Sequence, residues 1–553
     1  MSTSTRRALG GLASAAAMIA AITVISRLLG FGRWFVQAGA VGSGLIGGAY
    51  NTANTLPNVL FEVAAGGALA GALIPVITGP LRRGDRAEVN RISSALLGWT
   101  LLVLVPLAIV LALAADPLAR LFAGISEGPV EPELIRYFIL VFAVQIPLYG
   151  LGVVLSGLLQ AQRRFFWPAL APALSTAVVI VAYAVYGQLA DQQRNDASAL
   201  PPGALDWLAW GTTAGVAAMS LPLLIPVLRS GVRFRPTLSF PPGVAARVRS
   251  LAFAGIGALV AQQASVVVML LLAGGRAWTV FLYAQAVYLL PYAVLAVPLA
   301  TSTFPRLADR AARPAREGFA EMAALTTRAV VVAAGVGVAA LIAAAPAVAE
   351  LFISIAQPEE SGLVVAMGPA LTWMAPGLLG FALLFHVSRA LYALERGRAA
   401  VVAAAWGWSA VAVSAGLLAW LWVPTGDDAR MLTALGVANT IGMTVAGVAL
   451  LAALRRAGGT GVLHGFPRTL TVLAAGVLVG AVAGRWTTVE ALAIFGHGWA
   501  PAVGAGAGGG ALAVLVVVAA VLAFDRGTLR GVLGLDRGAR PLAAHGGDEG
   551  DTP

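Results

Sequence analysis

The residues best placed to do chemistry are charges that stand where a greasy chain should carry none. The stretch "ISRLLGFGRWF", Ile25 to Phe35, holds Arg27 and Arg33 inside a long apolar run, with Gly30 and Gly32 between them. Arg328, Arg389 and one acid, Glu62, also lie within or near apolar runs. A charge at the centre of a bilayer costs about 2.5–3.5 kcal/mol on insertion scales, so each should face a cavity or a partner. Guanidinium groups stay protonated when desolvated and match phosphate geometry; an arginine-lined chamber therefore implies an anionic ligand. Four arginines less Glu62 make the expected chamber basic by three charges, with Glu62 the expected counter-charge. Counted from a helix start near residue 13, Arg27 lies about 21 Å along and Arg33 about 30 Å. On an ideal wheel they point about 120° apart, and Gly30 and Gly32 are expected to bend the helix so that both face one chamber. The competing reading is that an arginine reaches its charge along the stem to interfacial water; it applies to Arg33 and more strongly to Arg328 and Arg389, nearer the cytoplasmic ends.

Other chemistries lack their residues. There is no cysteine, which excludes disulfides and thiol catalysis. The four histidines, His386, His464, His497 and His545, form no metal-ligand spacing, so neither a metal nor a cofactor is expected. "GAGAGG", Gly504 to Gly509, matches GxGxxG in form only: it opens an apolar run with no strand before it, and close helix packing is the better reading. No Walker A sequence occurs, and Glu131 with Glu133 reads as a solvated loop. The chain is expected not to be an enzyme.

The charges sit in a chain of 553 residues, 59% hydrophobic and 11% charged, with mean hydropathy +0.86. Soluble domains carry about 25% charged residues. Continuous apolar runs of spanning length recur throughout, which reads as an all-α polytopic membrane protein and not a barrel of alternating strands. Fourteen spans are expected, near 13–39, 45–79, 92–115, 135–160, 166–189, 206–228, 249–273, 277–305, 322–348, 362–392, 399–423, 431–454, 469–488 and 500–524.

The connecting segments alternate in charge. One set holds 26 of the 36 arginines, from Arg6 and Arg7 through Arg82, Arg83, Arg163 and Arg164 to the C-terminal tail. The other holds six, and is acidic at Asp116, Glu127, Glu350, Glu359 and Glu360. The positive-inside rule places the first set, and both termini, in the cytoplasm. It also accounts for the net charge of +11 without nucleic acid. Every basic residue is arginine, which suggests a GC-rich bacterial genome. The N-terminal run is expected to be an uncleaved first helix and not a signal peptide, and residues 526–553 a disordered cytoplasmic tail.

Two stretches echo each other. Residues 50–77 and 283–307 each start at a tyrosine, reach Leu-Pro (Leu56-Pro57, Leu290-Pro291) and end with a second proline, Pro75 or Pro305, before a basic loop. "LLQAQRRFFWPAL" (158–170) pairs more loosely with "LYALERGRAAVVA" (391–403). The expected organisation is an N-terminal lobe of six helices (1–228), a second lobe of six (229–455) in a pseudo-twofold relation, two further helices (456–525) and the tail. This is the parallel-repeat plan of some transporters, with the pathway between lobes.

"SRLLGFGR" (26–33), followed by "AYNTANTLPNVLFEVAAGGALAGALIPVI" (49–77), resembles the signature of the MviN/MurJ family of lipid II flippases, within the multidrug/oligosaccharidyl-lipid/polysaccharide exporter superfamily. "RRFFWPALAPAL" (163–174) and "YLLPYAVLAVPLATSTFPRLADRAAR" (288–313) extend the resemblance over about 10–455. It implies movement of an undecaprenyl-pyrophosphate-linked peptidoglycan precursor, lipid II, between leaflets of the bacterial inner membrane by alternating access. Membrane potential or a monovalent-ion gradient would drive it, and cell-wall synthesis or division proteins would be partners. The implied substrate-binding set is Arg27, Arg33, Glu62, Asn51, Asn54 and Asn58; the expected hinge set is Gly30, Gly32, Pro57 and Pro291; the last two helices would hold the lipid tail. Three positions depart from many relatives: Trp34 stands for an acid, Phe61-Glu62 for an Arg-Arg pair, and Ala286 for an arginine. Glu62 with Gly66-Gly67 looks like the actinobacterial branch. The alternatives are an exporter of another polyprenyl-linked glycan or of cationic drugs, which would need acids in the cavity, and a membrane scaffold for cell-wall enzymes, which would need no buried charge.

Overall fold

The computed structural model describes residues 25–125, 131–246 and 256–528, with positions 22 and 248. The expected tail therefore lies outside the described residues from 529 onward, as do the first 21 residues. Every regular element among the described residues is helical.

Residues 25–40 form the first helix. The second span is Leu45–Phe61, a π-helical turn at Glu62–Gly66, and Gly67–Arg83. Pro57, inside this span, cannot donate to the helix ladder, and a π-helical turn often marks such a functional irregularity. The chain continues through Arg86–Leu113, Pro132–Ala161, Phe166–Ala190 and Ala204–Arg229. Apolar helix runs on from Ile256 to Ala312, yet as one straight rod that would be about 85 Å long, nearly three hydrocarbon thicknesses. It is two spans. Gly274 breaks it with φ 66° and ψ 175°, and Gln263 and Val266 line the same cavity as Trp278, Leu282 and Gln285, so the chain doubles back at Gly274. Phe319–Ile353 follows, then a broken span, Ser361–Met374 and Gly377–Ala393, bent by 55°. Gly397–Trp422, Asp428–Gly458, Phe466–Phe495 and Trp499–Phe524 complete the bundle. Among the described residues ten helices are long and apolar enough to cross a membrane, or eleven with the bent pair taken as one span.

Several backbone details recur about 230 residues apart. A second π-helical turn, Tyr292–Ala296, follows Pro291. Pro75 lies nine residues beyond Gly66, and Pro305 nine beyond Ala296. The turns, not the Leu-Pro pairs, are therefore in register, and Pro57 and Pro291 are offset by one helical turn. The positive-φ glycines Gly42 and Gly274 recur, and so do Arg163 and Glu395, both at φ 60°. Gln162 (φ −82°, ψ 4°) and Leu394 (φ −84°, ψ 5°) precede those last two residues in nearly the same conformation.

"GAGAGG" does serve close packing. A Cβ at Gly484 would run into the Gly509 carbonyl oxygen and the Ala513 methyl, so Phe466–Phe495 and Trp499–Phe524 touch nearly backbone to backbone. Gly484→Leu should lower the thermal unfolding midpoint in detergent, with an overpacking cost of about 1–3 kcal/mol, whereas Gly504→Ala, which meets nothing within 4 Å, should leave it unchanged.

Candidate functional site

A cavity of about 460 Å³ lies between the first two spans, the helices Pro132–Ala161, Phe166–Ala190 and Ala204–Arg229, which contribute Tyr149, Ser175, Thr176 and Thr212 to its lining, and the pair that folds back at Gly274. Asn51, Asn54 and Asn58 share one face of the Leu45–Phe61 helix and line it. Asn51 is a strut. Its Oδ1 accepts from Gln37 Nε2 at 2.9 Å, and its Nδ2 donates to Thr279 Oγ1 and to the Gly47 carbonyl, each at 3.1 Å. Asn54 is not: its Oδ1 is buried with no partner among the described residues. Asn58 Nδ2 donates to the Asn54 carbonyl at 2.8 Å. Opposite them, Trp278 Nε1 donates to Thr55 Oγ1 at 3.0 Å, and Gln263 and Gln285 add amides to the lining.

Arg33 is the one charged side chain among the described residues lining this cavity. Its guanidinium carbon sits 4.6 Å from the centre of the Trp34 ring, so the face of an indole stabilises the cation where an acid was expected. The expected convergence of charges is not found. The helix runs unbroken through Gly30 and Gly32, so the wheel offset between Arg27 and Arg33 is kept. Arg27 is exposed and does not line the cavity; it and Arg389 lie close enough to Tyr292 to act on it electrostatically. Arg389 packs over Phe385 at 3.9 Å and Phe304 at 6.0 Å. Arg328 donates to the Ala324 carbonyl in its own helix at 3.3 Å. Glu62, half-buried in the first π-helical turn, makes no ion pair with Arg27 or Arg33 among the described residues. The net charge of three expected for the chamber reduces to a single guanidinium in an amide-rich wall.

At the end nearer Gly42 the cavity is bounded by buried polar groups. Gln37 is fully buried. Tyr50 Oη lies 2.8 Å from Tyr183 Oη and 3.0 Å from Thr212 Oγ1. Tyr283 Oη donates to the Gly42 carbonyl at 2.9 Å. Beyond them stands Glu360, which the charge pattern assigns to solvated outer loops but which is only 2% exposed. The signal that could have found it is "VGSGLIGG", a glycine-rich helix start that offers no capping side chain of its own.

Comparison with known proteins bears on this site. The family model described as Lipid II flippase MurJ matches residues 37–502. A Rhizobium meliloti (strain 1021) protein named probable lipid II flippase MurJ is 27% identical over 302 residues, 53% of this chain and 54% of the relative. A Synechocystis protein of the same name is 29% identical over 238 residues, 42% of this chain and 43% of the relative. The chain thus aligns with about half the length of these curated relatives. Among solved structures, one titled lipid II flippase MurJ in an inward closed conformation superposes with TM-score 0.68 at 17% identity, covering 93% of this chain and 99% of the other. An inward-facing multidrug resistance MATE family transporter of the MOP superfamily gives 0.60 at 16% identity, covering 80% and 96%. At such identities these two show the shared fold.

The two asparagines should separate by experiment. Asn51→Ala leaves the buried Gln37 amide without its acceptor and removes the bond to the Thr279 hydroxyl, which keeps its own to the Gly275 carbonyl; the expected loss is about 1–3 kcal/mol, read as a lower unfolding midpoint. Asn54→Ala removes an atom with no protein partner and should leave the midpoint near wild type.

Proposed function

The chain belongs to the lipid II flippase MurJ family, a family of multi-pass transporters of the bacterial inner membrane, and on that premise we propose that it carries lipid II from the cytoplasmic to the outer leaflet. The observation that carries the proposal is the cavity itself, with amides and hydroxyls in its lining and one guanidinium that cannot be neutralised by losing its proton. Amide and hydroxyl side chains suit a sugar-peptide head, and arginine suits the pyrophosphate. The absence of acids from the described lining speaks against cationic drugs.

In this reading residues 1–228 and 229–455 are two lobes that rock about the cavity, with both termini in the cytoplasm. The recurrence of glycine turns, π-helical turns and φ 60° residues supports such a repeat. Pro57 and Pro291, each close to a π-helical turn, are the proposed hinges. Gly30 and Gly32, helical in this state with nothing within 4 Å of an added Cβ, leave the first helix free to bend in another. Arg33, Asn54 and Asn58 bind the head within the cavity. Arg27 meets the anion nearer the cytoplasm, and Glu62 stays in the binding set at its entrance. The polyprenyl tail runs outside the lobes. A groove of about 390 Å³ along Leu470, Leu473, Val477 and Leu478, facing Ile342 and Leu379, is almost wholly apolar and carries Arg485 in its lining. Membrane potential or a monovalent-ion gradient supplies the drive; moving one charge through 100 mV is worth about 2.3 kcal/mol. Docking of cell-wall synthesis or division proteins belongs to the same proposal.

In cells in which this chain is the sole flippase, Arg33→Ala should cut lipid II delivery to the outer leaflet about tenfold or more, and Arg27→Ala should reduce it less. Depletion followed by measuring which leaflet holds lipid II checks both. Normal delivery in the Arg33→Ala strain overturns the site.

A further inference from the structure

Three turns, distant in sequence, and one helix side chain, Tyr283, meet around one carboxylate. Glu360 stands just before the Ser361–Val365 helix. Its Oε2 accepts from the Ser43 backbone N–H at 2.8 Å and the Ser43 hydroxyl at 3.2 Å, and its Oε1 accepts from the Gly44 N–H at 3.0 Å. Ser43 and Gly44 immediately precede the Leu45–Phe61 helix, and Gly44, its N-cap, brings no side chain to the free N–H groups there. An acid more than 300 residues away does the capping. The approach is close enough to require glycine: at Gly42 (φ +78°) an added Cβ would strike the Glu360 carboxylate, and at Gly44 it would strike Asn195 Oδ1 and Glu360 Oε1. Neighbouring bonds cross between the same halves of the chain. Tyr283 donates to the Gly42 carbonyl, and Asn195 Nδ2 donates to Gln357 Oε1 at 3.2 Å and Glu359 Oε2 at 3.0 Å. Arg194 bonds the Gly39 carbonyl beside them.

We propose that Glu360 is the outer-gate latch of the carrier: its carboxylate, from the second half of the chain, holds the cavity shut by capping the N-terminus of the second span, and it withdraws when the outer side opens. The proposal rests on the alternating-access reading and adds to it the residue that sets which side is closed. The chemistry suits a bond remade every cycle. All three bonds to Glu360 come from the first half and are lost together on separation. What separation exposes, a carboxylate and the amides of a helix start, is readily taken up by water, whereas an apolar plug would be left wet.

The latch is linked to protons, and the sign can be worked out. Burial pushes the Glu360 carboxyl above its ordinary range, while the Ser43 and Gly44 bonds and the Arg194 charge pull it down without cancelling the rise. The other groups facing it are the hydroxyls of Tyr186 and Tyr283, which are neutral at working pH, and the Glu359 carboxylate beside Asn195. In the open state Glu360 would return to water and its ordinary range. The closed state therefore holds the proton more tightly, so acid favours closure and opening gains as pH rises through the raised value.

The chain has no native cysteine, so spin labels on Ala199→Cys and Ser354→Cys, both exposed at the outer rim, report the gate directly in lipid nanodiscs. Double electron–electron resonance on the full chain should show a short-distance population that grows as pH falls. Glu360→Ala should shift the closed-to-open ratio about tenfold toward open, equivalent to about 1.4 kcal/mol. Glu360→Gln, which keeps an acceptor and stands in for the neutral acid, should hold the closed population of acid pH at every pH and so abolish the pH dependence. Gly44→Val, from the other side of the contact, should shift it in the direction of Glu360→Ala. Unchanged distances in Glu360→Ala and Glu360→Gln, with wild type sampling two distances, overturn the latch alone. A wild type that holds one distance at every pH, with and without lipid II, overturns the alternating-access reading and the latch with it.

Discussion

A guanidinium cannot shed its proton on entering a low-dielectric interior, and hydrocarbon cannot solvate it. Arg33 therefore needs a wet or polar face wherever it sits, and the architecture around it meets that need. The first helix presents it toward a cavity, Trp34 places an aromatic face against it, and the second span turns three asparagines to the same space. The apolar remainder of both helices faces lipid or packed neighbours. Because the surrounding wall holds amides and hydroxyls, an entering anion meets one strong charge and many weaker dipoles. That arrangement suits the proposed carrier, which must hold its cargo without trapping it.

Backbone irregularity is confined to places where it has a use. Lipid tolerates an unpaired carbonyl poorly, so prolines and π-helical turns in spanning helices belong where protein or a cavity covers them. Both π-helical turns lie on spans that border the cavity region. Each inserts an extra residue into its helix and so rotates the downstream face. Asn51, Asn54 and Asn58, before the first turn, look into the cavity, whereas Leu73, Val76 and Ile77, after it, are buried in a separate apolar cluster with Leu155 and Leu158. One helix thus serves two environments, and the irregular turn is the joint between them.

The spans and the cavity-facing asparagines were legible in the sequence, because apolar run length and helical spacing are local properties. The doubling back at Gly274 was legible too, since a membrane limits how long one pass can be. What failed was everything that depends on the relative azimuth of helices. Arg27 and Arg33 were expected to converge through a glycine bend, but glycine permits a bend without demanding one, and the helix stays straight enough to keep them apart. Glu62 was expected to pair with one of them, yet a π-helical turn begins at that residue and its carboxylate finds neither. Glu360 was misplaced for a related reason. A charge count treats every loop acid as solvated, and only the fold reveals that another helix arrives there with its N–H groups uncapped.

The recurring backbone details show where the two halves agree and where they diverge. At the turn after Pro132–Ala161 and its counterpart after Gly377–Ala393, two stretches of different sequence reach almost the same φ and ψ, and the left-handed position holds Arg163 in one and Glu395 in the other. Neither residue is favoured there over glycine, so the backbone geometry alone selects neither. The halves share a frame and differ in the charges placed on it. The same holds at Gly42 and Gly274: both take positive φ, but among the described residues only the first precedes a helix start whose N–H groups meet an acid from the opposite half. A shared frame with unequal decoration is what the proposed latch requires, because the two ends can then differ in how firmly they close. In that proposal the firmer end is the one where Glu360, from the second half of the chain, accepts from Ser43 and Gly44 at a helix N-terminus in the first.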